Sequence, residues 1–130
     1  MVIVWAGAVL LTGCDDTVTN KQIDQIIIPD TGVSFSKYIQ PVLSVKCASS
    51  GCHDDQTKAG NLSCTNYLSL THSGDATIVV AGSPETSKLI WSIKGQSGTP
   101  SMPPTPNPYP LTANQIKGIE TWVKEGAKSN

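Results

Sequence analysis

Lys46-Cys47-Ala48-Ser49-Ser50-Gly51-Cys52-His53-Asp54 places a histidine directly after the second of two cysteines. In the spacing C-x-x-C-H, two thiols bond covalently to the side groups of a porphyrin and the adjacent imidazole meets its iron. Here the interval is C-x4-C-H, two residues longer. Gly and Ser accept turn conformations at little steric cost, so Ala48 to Gly51 can bulge as a loop while Cys52 and His53 stay adjacent. The stretch reads as a haem attachment site, with Cys47 and Cys52 as the attachment thiols and His53 as an axial ligand.

Immediately upstream, Phe35, Ile39 and Val42 recur at helical spacing, with Tyr38 and Leu43 on a neighbouring stripe and Ser34 placed as N-cap. This helix delivers Cys47. Pro41 lies inside it, and because proline lacks a donor and clashes with the preceding turn, a kink or break is expected near Gln40. The apolar stripe itself is ordinary core material.

Downstream, Asp54 to Gly60 is a polar loop, and a short helix is expected over Tyr67 to Leu70. Ser83-Pro84-Glu85 carries the signs of a helix start, with Leu89, Ile90 and Ile93 following to about Lys94. Beyond it, Ser101-Met102-Pro103-Pro104 holds the one methionine outside the initiator. A thioether is a soft ligand suited to electron-transfer iron, and prolines on its C-terminal side are expected to hold the loop extended. His72, the other histidine, is the alternative distal ligand. Thr112-Ala113-Asn114-Gln115 then forms a capping box for a last helix with Ile116, Ile119, Trp122 and Val123 on one face, and Gly118 within it marks close packing.

Cys64 remains as an odd thiol, more commonly a small buried apolar residue. A zinc site from Cys47, Cys52, His53 and Cys64 fits poorly, because structural zinc sites usually use paired C-x2-4-C units.

The N-terminal run Met1 to Leu11 is apolar but too short to span a bilayer. It reads as a signal-peptide core, though without a basic n-region. Leu11-Thr12-Gly13-Cys14 resembles the bacterial lipobox, which implies cleavage after residue 13 and lipidation of Cys14. Residues 14–33 are expected as a mostly polar, flexible tether, with the domain occupying 34–130.

With 130 residues, a formal net charge of −1 and 15% charged side chains, the chain suits one small neutral domain and not a nucleic-acid binder. Aromatic residues make up only 5%, so the core is expected to be thin and to gain from a large apolar cofactor.

Taken in order, Phe35 to Pro41, Cys47 to His53, Ala81-Gly82-Ser83-Pro84, Met102-Pro103-Pro104 and Leu111 to Ala127 resemble the small monohaem c-type cytochrome domains of bacterial envelope proteins. The resemblance implies an all-α domain around one covalently bound haem c. Cys47 and Cys52 would be thioether attachments, His53 the proximal ligand and Met102 the distal one. An apolar cleft between His53 and Met102 is expected, lined by the first helix, the helix after Ser83 and the last helix. The implied role is electron transfer without catalysis, with unidentified redox proteins as partners and a lipid anchor holding the domain at the envelope, on its periplasmic or outer-surface side. The rival readings are a domain that donates electrons to a haem peroxidase or other oxidoreductase, and a haem-free envelope lipoprotein with a Cys47 to Cys52 disulfide.

Overall fold

The computed structural model describes residues 18–73, 75–96 and 98–130, and every regular element among them is helical. Helix α1 (Asn20–Asp24) starts at Thr19, whose hydroxyl accepts from Gln22 N while the Gln22 side chain accepts from Thr19 N. That reciprocal cap satisfies donors that a helix start leaves orphaned. A π-helical turn (Phe35–Ile39), capped by Ser34, runs directly into α2 (Gln40–Lys46). The change of helix type falls where Pro41 requires it. Gln40 N reaches back five residues to Phe35 O, and Pro41 then sits in the first turn of α2, where a missing N–H costs no bond.

Three further helices follow: α3 (Tyr67–His72), α4 (Lys88–Ile93) and α5 (Ala113–Lys124). The helix expected from Ser83 is divided. Pro84–Thr86 form a single 3-10 turn, and α4 begins afresh after Ser87. The buried Ser87 hydroxyl accepts from Val80 N at 2.9 Å and donates to Ser83 O at 2.9 Å, so it ties two turns together and caps neither helix.

The capping box on α5 is present: Gln115 N lies 3.2 Å from Thr112 Oγ1 and Thr112 N lies 2.9 Å from Gln115 Oε1. Its apolar face buries Ile119, Trp122 and Val123. The Trp122 ring stands 5.2 Å from that of Phe35 and 6.5 Å from that of Tyr67, and Tyr67 meets Phe35 edge-on. Their polar tips are satisfied, with Tyr67 Oη donating to Ala127 O and Trp122 Nε1 to Lys128 O, both at 2.9 Å. This cluster continues into buried Ile39, Val42, Leu43, Leu70 and Ile90. Few aromatics are present, and three of them are concentrated at this one point. The end of the chain closes over the same region, since Asn130 accepts from Phe35 N through Oδ1 and from Ser36 N through its backbone carbonyl, each at 2.8 Å.

From Thr19 onward, the segment expected as a flexible tether is instead packed into the fold. Ile23, Ile28 and Val33 are at most 2% exposed. Asn114 holds Ile28 at both its N and O, at 2.8 and 3.1 Å, and Glu125 accepts from Gly32 N and Val33 N at 2.7 and 2.9 Å. Those two donors keep the Glu125 carboxyl below the usual carboxylate range. The close packing expected at Gly118 is present, and its partner is Ile28. The expected signal peptide at 1–13 and lipidation at Cys14 lie outside the described residues. Among the described residues no helix is long and apolar enough to cross a membrane.

A Cβ at Gly118 would lie 2.6–2.9 Å from three side-chain atoms of Ile28. Overpacking of that kind costs typically about 1–3 kcal/mol, whereas alanine gains at most about 1 kcal/mol of helix propensity over glycine. Gly118→Ala is therefore expected to lower stability in urea titration, and Ile28→Ala should cost less stability when added to it than when made in the parent.

Candidate functional site

Cys47 ends α2, and its amide still bonds Leu43 O at 2.9 Å. The four residues after it form the expected bulge. Cys52 N bonds Ser49 O at 3.0 Å, and Gly51 takes a positive φ of 84°, a conformation that glycine adopts without a Cβ penalty. Asp54 closes the loop by accepting from Gly51 N at 2.9 Å and Gln56 N at 2.8 Å, with Thr57 N donating to the same carboxylate. Thr57 above all, then Gly51 and Gln56, hold its carboxyl below the usual carboxylate range.

His53 is held on three sides. Its N donates to Cys47 O at 3.1 Å, its carbonyl accepts from Cys64 N at 2.8 Å, and its Nδ1 lies 3.3 Å from Leu62 O. A carbonyl can only accept, so Nδ1 carries the proton in this contact and Nε2 is left with its lone pair. This arrangement, an imidazole fixed by a backbone carbonyl behind it, is the one that orients a metal-binding ring.

Met102 is positioned from the opposite side by a bond from its N to Ser92 O in α4, at 2.9 Å. The loop around it is not the continuous extended segment expected, since it bends at 102–103, 105–106 and 108–109. Two adjoining cavities lie between these parts. The smaller, about 170 Å³, is bordered by Lys46, Cys52 and Pro103; the larger, about 240 Å³, by Leu62, Cys64, Ile78, Leu89 and Ile93. Cys47, His53, Ala59 and Met102 border both. The structure thus brings Cys47, Cys52, His53 and Met102 to one place.

One expectation is corrected. Helix α5 contributes nothing to either cavity wall, because its apolar face is already occupied by Phe35, Tyr67 and Ile28. His72 is exposed at the end of α3, bonded to Thr71 Oγ1 at 2.7 Å, and borders a separate surface hollow with Lys58 and Leu68. It borders neither cavity.

Sequence reasoning missed Lys46. Its side chain is fully enclosed, with the ammonium 2.8 Å from Asp24 Oδ1 and donating to Pro110 O at 3.3 Å. No local pattern pairs a residue of α1 with one beside Cys47, so the ion pair had no signal. Cys64 was also left without a role. The neighbouring Cys64 thiol keeps Cys47 below the usual thiol range, while Cys47 and burial push Cys64 up.

With this geometry established, comparison with known proteins adds one finding. Residues 50–106 match a family model described as Planctomycete cytochrome C. The stretch covers a little under half of the chain and contains Cys52, His53 and Met102, but begins after Cys47. No curated protein and no solved structure matches. The similarity supports a cytochrome c-like domain and a haem-binding, electron-transfer role.

The Asp24–Lys46 pair makes stability depend on pH. The Lys46 ammonium first, and Gln115 after it, hold the Asp24 carboxyl below its ordinary range. A lowered folded value means that the stabilisation is complete above the unfolded carboxylate pKa and is lost as pH falls through the folded one. Asp24→Asn is expected to lower the neutral-pH melting temperature, by less than the about 3–5 kcal/mol equivalent of stripping a fully buried pair, since Asp24 is a third exposed. Thermal melts of parent and variant should converge in acid below the ordinary carboxylate range.

Proposed function

We propose that this protein is a monohaem c-type cytochrome that carries single electrons and catalyses no bond chemistry itself. The observation that carries the reading is that His53 and Met102, the two candidate axial ligands, border the same pair of cavities together with Cys47.

The donor set suits the group. Cys47 and Cys52 are free thiols, the chemical form needed for thioether attachment. The Leu62 carbonyl fixes the His53 tautomer that leaves Nε2 available, and Met102 offers a soft sulfur. Leu62, Ile78, Leu89 and Ile93 supply an apolar wall that keeps water away. Haem c held here by Cys47, Cys52, His53 and Met102 would supply one-electron redox chemistry, at a potential that a His and Met ligand pair would raise. In this arrangement the chain's own work is to hold both ligands fixed, so that little rearranges when the charge changes. Asp54 serves this by closing the Cys47–Cys52 loop, and Ser92 by anchoring Met102.

The reading extends to placement: Cys14 carries a lipid after removal of residues 1–13, and the domain is held at the bacterial envelope, where redox proteins are its partners.

Pyridine haemochrome spectroscopy on protein coexpressed with a haem-attachment system tests the cofactor directly. Met102→Ala is expected to keep the covalent haem, lower the reduction potential and bind carbon monoxide readily where the parent does not. A variant with the parent's spectrum, potential and resistance to carbon monoxide would show that Met102 is packing only. For the anchor, Cys14→Ser should move the protein from the membrane to the soluble fraction with its haem spectrum unchanged, and continued membrane association would reject lipidation.

A further inference from the structure

The loop that carries Met102 is poorly equipped to hold itself. Five of the ten residues from Met102 to Leu111 are proline, so half of it has no N–H to donate, and its carbonyls can only accept. Such a loop has to be fastened by donors from elsewhere. Among the described residues, its hydrogen bonds to the rest of the fold lie at its two ends: Met102 N donates to Ser92 O at 2.9 Å, and the Lys46 ammonium donates to Pro110 O at 3.3 Å and Tyr109 O at 3.5 Å. An ammonium has three protons and no acceptor, and the third is taken by Asp24 Oδ1 at 2.8 Å. The Lys46 side chain is thus fully used as well as fully enclosed, and Lys46 borders the smaller cavity together with Met102 and Pro103. Leu111 is buried just beyond, but apolar packing is non-directional and does not set how the loop's carbonyls point.

We propose that Lys46 is a positioning residue for Met102: by holding the Tyr109 and Pro110 carbonyls against α1 and α2, it keeps the far end of the loop closed and the thioether at the cavity. Ser92 fixes the backbone of Met102 itself. Lys46 stops the rest of the loop from swinging about that one bond. The consequence at iron rests on the proposed function, in which Met102 is the distal ligand, whereas the clamp on the loop does not. Hydrogen bonds from a charged donor are strong enough that losing them shifts such an opening equilibrium by about tenfold or more.

The test uses protein coexpressed with a haem-attachment system and carrying Lys46→Met, which keeps the buried chain length and removes the donors. Carbon monoxide binds only the fraction of molecules whose Met102 has left the iron, so its apparent Kd falls as that fraction grows. Lys46→Met is expected to lower that Kd by about tenfold, and to speed hydrogen exchange at the Met102 amide by a similar factor, with the haem still covalent. Gly118→Ala is the control, because it overpacks α5 away from both cavities, and it should leave both readings as in the parent. Should Lys46→Met not fold, Asp24→Asn takes its place: it removes one of the three holds on the ammonium, and both readings should move in the same direction by a smaller factor. Readings equal to the parent's, or an equal change in Gly118→Ala, overturn the inference. A parent without haem, or one that binds carbon monoxide as readily as Met102→Ala, rejects the proposed ligation instead. Exchange at Met102 then decides the clamp alone, with faster exchange in the variant upholding it and unchanged exchange overturning it.

Discussion

The bonds on either side of the His53 peptide are the constraint on which the site depends. Its N–H fastens to the end of α2 at Cys47, and its carbonyl fastens to the strand-like stretch that holds Cys64. A polar loop between Cys47 and Cys64 is thereby drawn against the wall of a cavity, with the His53 imidazole turned so that Nδ1–H donates to Leu62 O. Without this pair of bonds the C-x4-C-H loop would keep Asp54, the Cys52 N to Ser49 O bond and the Ala59 N to Cys52 O bond, which shape the bulge without orienting the ring.

The fold keeps this site apart from its stabilising centre. Phe35, Tyr67 and Trp122 meet on α5, while the cavities open among α2, α4 and the Met102 loop. An apolar cavity inside a small domain is a deficit of contacts, and the packing elsewhere has to offset it. Here Ile23, Ile28 and Val33 do so by covering the face of the core that α5 presents, with Ile28 seated on Gly118. Lys46 joins the two regions, since its ammonium ties α1 through Asp24 to the loop carbonyl at Pro110, immediately beside Cys47.

What the sequence made legible was local. The Thr112–Gln115 box, the Ser34 cap, the break at Pro41 and the apolar face of α5 each follow from residues within one or two turns, and each is present. The motif likewise named Cys47, Cys52 and His53, and the thioether suggested Met102. What it hid was long-range. Ile28 bonds Asn114 and packs on Gly118, Lys46 pairs with Asp24, and Glu125 holds Gly32 and Val33, all across distances along the chain that periodicity does not register. Backbone carbonyls are equally silent: Leu62 O orients the histidine, and nothing in a leucine announces it. The split at Ser87 was hidden for a related reason, because a serine whose hydroxyl bonds Val80 and Ser83 looks in sequence like any other helix-capping serine.

The cap that Asn130 places on the start of the π-helical turn gives the chain an order in time. Phe35 N and Ser36 N have no partner there until Asn130 exists, and the bonds at Ile28, Gly32 and Val33 wait on α5 in the same way. By contrast, the contacts that shape the Cys47–Cys64 loop come from residues close by in the chain. A polypeptide emerging from its N-terminus therefore holds the bonding partners of the Cys47–Cys64 loop well before Asn130 appears. Long-range closure is also the slow class of folding event.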